Sequence, residues 1–318
     1  MRSRRSSALI YWYDPIDGVY SMDNDAENYM PHPPVFSNEL IEQCKRDLDF
    51  RPILFEWYKF VGEYCSVTAC LTAHSPAFRS IPPLHFAVLT GLLNRCSRLM
   101  LANVRLSSSR KYGETTQLLD RSIEETAVKI LWLCHKDDDD RFRQYLADGL
   151  KNDLRLKRSI EENIGNRGGD ALVIESRMLH SIQECIDLSE LSEQEVNDSR
   201  PFPDLAAMFH SLGLDDLSYT AIQRMGSHAV HGTWTDLVHN YLSHDAVQGF
   251  RPKGHDVETE DVQFMVVSQL VLEAISSFAK TMIEDSSDTE GFLLIQKGIE
   301  SKFSEIRDLA WASDFDTE

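Results

Sequence analysis

Arg224, His228 and His231 lie in the segment Tyr219-Thr-Ala-Ile-Gln-Arg224-Met-Gly-Ser227-His228-Ala-Val-His231-Gly232, the most concentrated polar stretch of the chain. On a helix each residue turns by about 100°, so the three fall at about 0°, +40° and −20° and share one face, with Gly232 placed to end the helix. Imidazole takes up or releases a proton near neutral pH, and a guanidinium stabilises charge building on phosphorus. One guanidinium beside two imidazoles therefore suits cleavage of RNA through the ribose 2′-hydroxyl, with no metal and no cofactor. The alternative is a polar cluster that only holds helices together, since a histidine at a helix C-terminus is also a favourable dipole partner.

A second polar group is Arg121-Ser-Ile-Glu124-Glu125. Arg121 reaches Glu125 at i+4 or Glu124 at i+3 within one turn. Leu118, Val128 and Trp132 share that side, so the pair is expected to be partly buried and able to reach the histidine-bearing helix. Two separately buried polar centres cost more than one shared network, which places Arg121 or Glu125 within hydrogen-bond or one-water reach of the stretch from Tyr219 to His231.

Charge is unevenly spread. Lys and Arg number 32 and Asp and Glu 51, a net of −19, yet no acidic residue stands between Glu63 and Glu114. Arg95, Arg98 and Arg105 fall there within an arc of about 80°, opposite Leu93, Cys96, Met100 and Val104. This basic stripe is either an RNA contact or a solvated face that pairs with the acidic surplus elsewhere. The net charge argues against broad binding of duplex DNA, whose affinity rests on phosphate contacts.

Other chemistries have less support. His228, His231, His239 and His244 could be imagined around zinc, but there is no HExxH and no metal site is expected. Neither GxxxxGK nor GxGxxG occurs, and Ser227 has no nucleophile elbow. Asp137 to Asp140 read as a solvated helix start.

These residues carry two resemblances. Arg224-x6-His231 fits the loose R-x4–6-H signature of the HEPN superfamily, helical proteins that include many toxin and phage-defence ribonucleases, although Met225 stands where those enzymes usually carry a polar residue. Arg121-Ser122-x-x-Glu125, Arg141-Phe142-x-x-Tyr145 and then Tyr219, Arg224, Ser227, His231 and Gly232 resemble an uncharacterised bacterial helical family with R-S-x-x-E and Y-R-x-x-S-x-x-x-H-G motifs, with Gln223 where that family tends to have Tyr. The likeness covers about residues 85–285. It implies a helical architecture and a polar centre of Arg121, Glu125, Tyr219, Arg224, Ser227 and His231, not a particular reaction.

The elements that must position these groups are helices. In a chain of 318 residues with 42% hydrophobic residues, apolar positions recur three and four apart from Asn38 onward. The pattern predicts one or two helices to about Val61 with a break at Pro52, then helices over about 84–106, 114–134, 139–164, 171–185, 205–212, 218–231, 261–283 and 291–311, with a short one near Leu237. Residues 188–199 read as an acidic link and 243–258 as a loop. The fold class is all-α, a multi-helix bundle (37–312, one domain) with an irregular N-terminal arm (1–36), expected to pack through Tyr11, Trp12 or Tyr13, and an acidic tail (313–318). No apolar run approaches the roughly 18–20 residues of a membrane helix, no export signal is evident, and six cysteines without CxxC read as reduced core thiols, so a cytoplasmic protein without a membrane partner is expected. The leading expectation is a metal-independent ribonuclease or effector in bacterial defence or stress response, with RNA as partner. The alternative is a non-catalytic helical interaction protein. A homodimer or a protein partner is compatible with either.

Overall fold

The computed structural model describes residues 12–13, 20–21, 31–71, 79–136, 138–214, 227–247, 249–253, 257–284 and 290–315. The fold is all-α, as expected: α1 (Asn38–Asp47), α2 (Arg51–Ala69), α3 (Pro83–Ser107), α4 (Gly113–Cys134), α5 (Asp139–Asn166), α6 (Val173–Leu188), α7 (Glu193–Asp198), α8 (Leu205–Leu212), α9 (Asp261–Met282) and α10 (Glu290–Phe315). Pro52 and Pro83 sit in the first turns of α2 and α3, where a missing N–H is harmless. In the N-terminal arm, β1 (Trp12–Tyr13) and β2 (Tyr20–Ser21) pair antiparallel, a short ladder where only irregular chain is expected. Tyr11 and the tail residues 316–318 lie outside the described residues.

Two further elements differ from the sequence reading. The acidic link contains α7, started by Ser192 and Glu195 in a reciprocal capping box. The loop over 243–258 contains a hairpin of β3 (Leu242–Asp245) and β4 (Gly249–Pro252), with His244 opposite Phe250 and Ser243 opposite Arg251.

Chain packing forms two compact units, one from the residues up to His135 with those from Met208 onward, the other from Lys136 to Ala207; the sequence reading draws one domain over 37–312. In the smaller unit α5, α6 and α7 close on Ala147, Leu150, Leu154, Ile182, Ile186, Leu191 and Val196. In the larger, α2, α3, α4 and α9 form a ring in which each packs on the next and α9 closes on α2. Cys65 Sγ reaches the Leu93 carbonyl and Cys96 Sγ that of Ile123, which sets α3 antiparallel to both neighbours. Gln263 meets Asp120 near the start of α9, and Thr281 meets the Cys134 carbonyl at the ends, so α4 and α9 run parallel. α10 lies outside on α9, where Phe303 packs edge-on against Trp57 and Gln296 accepts the Tyr64 hydroxyl at 2.7 Å. By length and composition α9 could cross a membrane, contrary to the expectation that no such run exists, but 72% of its apolar window is buried inside the bundle, as suits a core helix. Cys44, Cys65 and Cys96 are buried, whereas Cys185 is exposed rather than a core thiol, and none of the six cysteines is in a disulfide.

One buried network ties the ring together. Asp120 of α4 accepts from Asn103 Nδ2 of α3 at 2.6 Å, from Gln263 Nε2 of α9 at 2.7 Å and from the Tyr58 hydroxyl of α2 at 3.3 Å. Ser107 donates to Asn103 Oδ1, and its hydroxyl lies 2.9 Å from that of Thr259, which in turn lies 3.1 Å from that of Thr116. Burial pushes the Asp120 carboxyl up to about 7, against the opposing pull of its three donors. One turn along, Glu124 is fully buried with no hydrogen-bond partner for either oxygen. Burial and then the neighbouring Asp120 carboxylate drive it well above the usual carboxylate range, so it is held neutral.

The chain leading into α9 is pinned to the start of α4. Gly113 N–H donates to the Val257 carbonyl at 2.7 Å, and a Cβ at Gly113 would stand 2.3 Å from the Glu258 carbonyl oxygen. Gly113→Ala is expected to destabilise the protein by about 2 to 3 kcal/mol because backbone would have to move; a urea midpoint unchanged from the parent would contradict this. The buried carboxyls set a pH dependence. Unfolded Asp120 loses its proton near 3.8 and the folded group near 7, so its contribution falls as pH rises through that window, by about 4 kcal/mol in all, and levels off above it. Glu124 has the same sign. Glu124→Gln, a neutral isostere, should therefore raise stability relative to the parent more at pH 8 than at pH 5, and urea curves showing the larger gain at pH 5 would overturn the assignment.

Candidate functional site

α4 presents two polar rows one residue apart. The buried row is Asp120 and Glu124; Arg121 and Glu125 sit beside it, with Arg121 Nε 2.8 Å from Glu125 Oε1. The arginine side chain is 16% exposed and the glutamate 39%, so the ion pair is partly buried on its arginine side. Arg121 Nη1 is buried without a hydrogen-bond partner. Among the described residues no hydrogen bond or ion pair joins either residue to 227–231, and their closest bond is to each other. Tyr219 and Arg224 lie outside the described residues.

Ser227, His228 and His231 lie in a helical stretch over 227–231 that ends at Gly232 with φ +54°, the left-handed stop expected of that glycine. Ser227 and His228 are half-buried and His231 is exposed. Thr233 fixes the next turn of the chain. Its N–H donates to the His228 carbonyl, and its hydroxyl caps the turn Trp234–Asp236 by accepting the Asp236 N–H. His228 Nδ1 lies 2.8 Å from the same hydroxyl. The hydroxyl holds the ring in either tautomer: it donates to Nδ1 when the hydrogen of a neutral ring is on Nε2, or accepts from Nδ1–H. The turn runs on as a π-helical stretch, Leu237–Tyr241, into β3. Asp236 is buried and accepts from Asn240 Nδ2 at 2.9 Å.

The basic stripe is exposed at Arg95, Arg98 and Arg105, while Leu93, Cys96 and Met100 opposite are buried and Val104 is half-buried. Arg95 is anchored through a 3.2 Å hydrogen bond from Nε to the Thr126 hydroxyl of α4. Among the described residues no group of three or more His, Cys, Asp or Glu side chains is arranged to hold a metal ion.

Two arrangements escape the sequence reading, the buried pairing of Asp120 with Glu124 and a surface cluster of rings. Asp120 and Glu124 are legible as carboxylates at i and i+4 in line with Ile123 and Ala127, both fully buried; the neighbouring Arg-Glu motif draws attention one residue away. Trp234, Phe250 and His244 form an aromatic cluster at the surface, with Trp234 and Phe250 centroids 5.3 Å apart edge-on and His244 4.6 Å from Phe250. No motif marks them, because the hairpin that joins them is not visible as alternating hydrophobicity. Thr233→Val should cost about 1 kcal/mol through the lost cap and release the His228 ring, read as a changed imidazole signature by nitrogen-15 NMR; an unaltered imidazole spectrum would show that the hydroxyl does not hold the ring.

No curated protein and no solved structure matches the chain. One family model does, over residues 86–250, which begins in α3 and ends within β4, short of the 285 that the sequence resemblance reaches. That stretch contains the Arg121–Glu125 pair, His228 and His231, and most of the basic stripe's helix. With just over half of its length matched, the chain belongs to the family of unknown function DUF5677.

Proposed function

We propose that the protein is a metal-independent ribonuclease, acting as an effector in bacterial defence or stress response, whose proton-transfer groups are His228 and His231. The observation that carries this reading is the placement of the two imidazoles: His231 stands in solvent, and the His228 ring beside it is oriented by Thr233. A histidine serving only the core would be buried with its nitrogens satisfied. In the reaction one neutral imidazole accepts the proton of the ribose 2′-hydroxyl as its oxygen attacks the adjacent phosphorus. The other, protonated, gives a proton to the departing 5′-oxygen, leaving a 2′,3′-cyclic phosphate and a 5′-hydroxyl end. Arg224 would stabilise the extra charge on the phosphoryl oxygens. Arg95, Arg98 and Arg105 would supply phosphate contacts along α3.

A second reading, a non-catalytic interaction protein, draws support from Arg121 and Glu125. They bond to each other, and among the described residues neither bonds to 227–231, which suits a pair whose work is structural.

His231→Ala is expected to abolish cleavage of single-stranded RNA while shifting stability by less than about 1 kcal/mol, since the side chain is exposed. A chelator should leave cleavage unchanged. Purified protein that leaves RNA intact with and without divalent metal would transfer the lead to the interaction reading.

A further inference from the structure

We propose that Trp234, Phe250 and His244 form a stacking platform for the bases of single-stranded RNA. The choice of polymer rests on the ribonuclease reading; the platform itself rests on separate observations. Trp234 is 61% exposed and Phe250 53%, and their rings meet each other at the surface. Large rings scattered singly on a surface need no explanation, but an exposed phenylalanine flanked by a tryptophan and a histidine forms a patch that suits a flat apolar partner. The register of the hairpin makes His244 and Phe250 directly opposed residues, so both rings stand on one face, and Trp234, which meets Phe250 edge-on, directly follows Thr233, whose hydroxyl lies 2.8 Å from the His228 ring. The cluster is thus linked along the chain to the residue that holds one of the proposed proton-transfer groups.

Local charge does not oppose a polyanion, and the choice of nucleic acid follows from the ribonuclease reading. Residues 227–253 hold two acidic and two basic side chains, a net of zero in a chain of −19, together with four histidines. Neither acid reaches the platform face. Asp236 is buried beneath its own turn, and Asp245 points from the other side of the hairpin, where it accepts the Val247 N–H. Among these residues a phosphate backbone meets no carboxylate on the platform face. Duplex RNA offers no base faces; single strands do, and stacking on aromatic rings tolerates any sequence.

The test uses the full chain and a short fluorescein-labelled 2′-O-methyl RNA, which lacks the nucleophilic hydroxyl and so reports binding without cleavage. Fluorescence anisotropy should show Trp234→Ala and Phe250→Ala each weakening binding about 5- to 100-fold, Trp234→Phe keeping most of it, and the same sequence as a duplex binding more weakly than the single strand. Equal affinity for single strand and duplex, or unchanged affinity in both alanine variants, would overturn the platform. Should Trp234→Ala fail to fold by circular dichroism, Phe250→Ala and Trp234→Phe decide the matter. Cleavage of unmodified RNA with ring-independent binding would leave the ribonuclease reading standing without the platform, and ring-dependent binding with no cleavage would do the reverse.

Discussion

A carboxylate taken out of water must find donors, and Asp120 finds them on three other helices. Its oxygens are met from α2, α3 and α9 by Tyr58, Asn103 and Gln263. Apolar packing alone tolerates a helix sliding or rotating by a residue, because one leucine fills space much as another does. A buried carboxyl does not, since a displaced donor leaves charge or dipole unpaired in a medium that cannot compensate. The ring of four helices thus has one register in which Asp120 is satisfied, and the rest of the larger unit is arranged around it. Glu124 sharpens the constraint: a second carboxyl one turn away, without hydrogen-bond partners, keeps its proton through its own burial and the nearness of the first.

This centre also explains how a helix far along the chain is recruited. α9 begins at Asp261, more than a hundred residues after α4 ends, and must return to the correct end of α4. Three contacts near its start do this. Val257 takes the Gly113 N–H, Thr259 joins the hydroxyls of Ser107 and Thr116, and Gln263 binds Asp120. The intervening chain is free to build its own unit and to carry the histidine segment and the hairpin. Arg51 adds a charged clasp at the same end, held by Asp49 and reaching Glu258 at 2.8 Å.

The helical skeleton is legible because each long helix is apolar on one side only, and the period of that side survives in sequence. α3 and α4 are bounded by prolines and glycine close to where the pattern places them. What is not legible is local and cooperative. α7 is too short for a period and shows only as Ser192-x-x-Glu195. The β3–β4 hairpin has residues of intermediate burial on both faces, so no alternation announces it. In α4 the period shows which residues face inward but not which polar ones are accepted there, because that depends on Asn103 and Gln263 being in reach. Arg121 and Glu125, which spacing pairs correctly, stand one residue from the row that the bundle buries.

The same logic separates the two polar centres of this chain by what each can do. Asp120 and Glu124 lie where water does not reach, so their protonation is tied to folding and their chemistry goes into setting register. The histidine segment is built differently: Gly232 ends its helix, Thr233 turns the chain and orients one imidazole, and the second imidazole is left in solvent on a segment that leads to exposed rings. The proposed proton transfer to a polymer needs groups that the polymer can reach, and the exposed imidazole lies on this short, irregular segment rather than among the enclosed carboxyls of the ring.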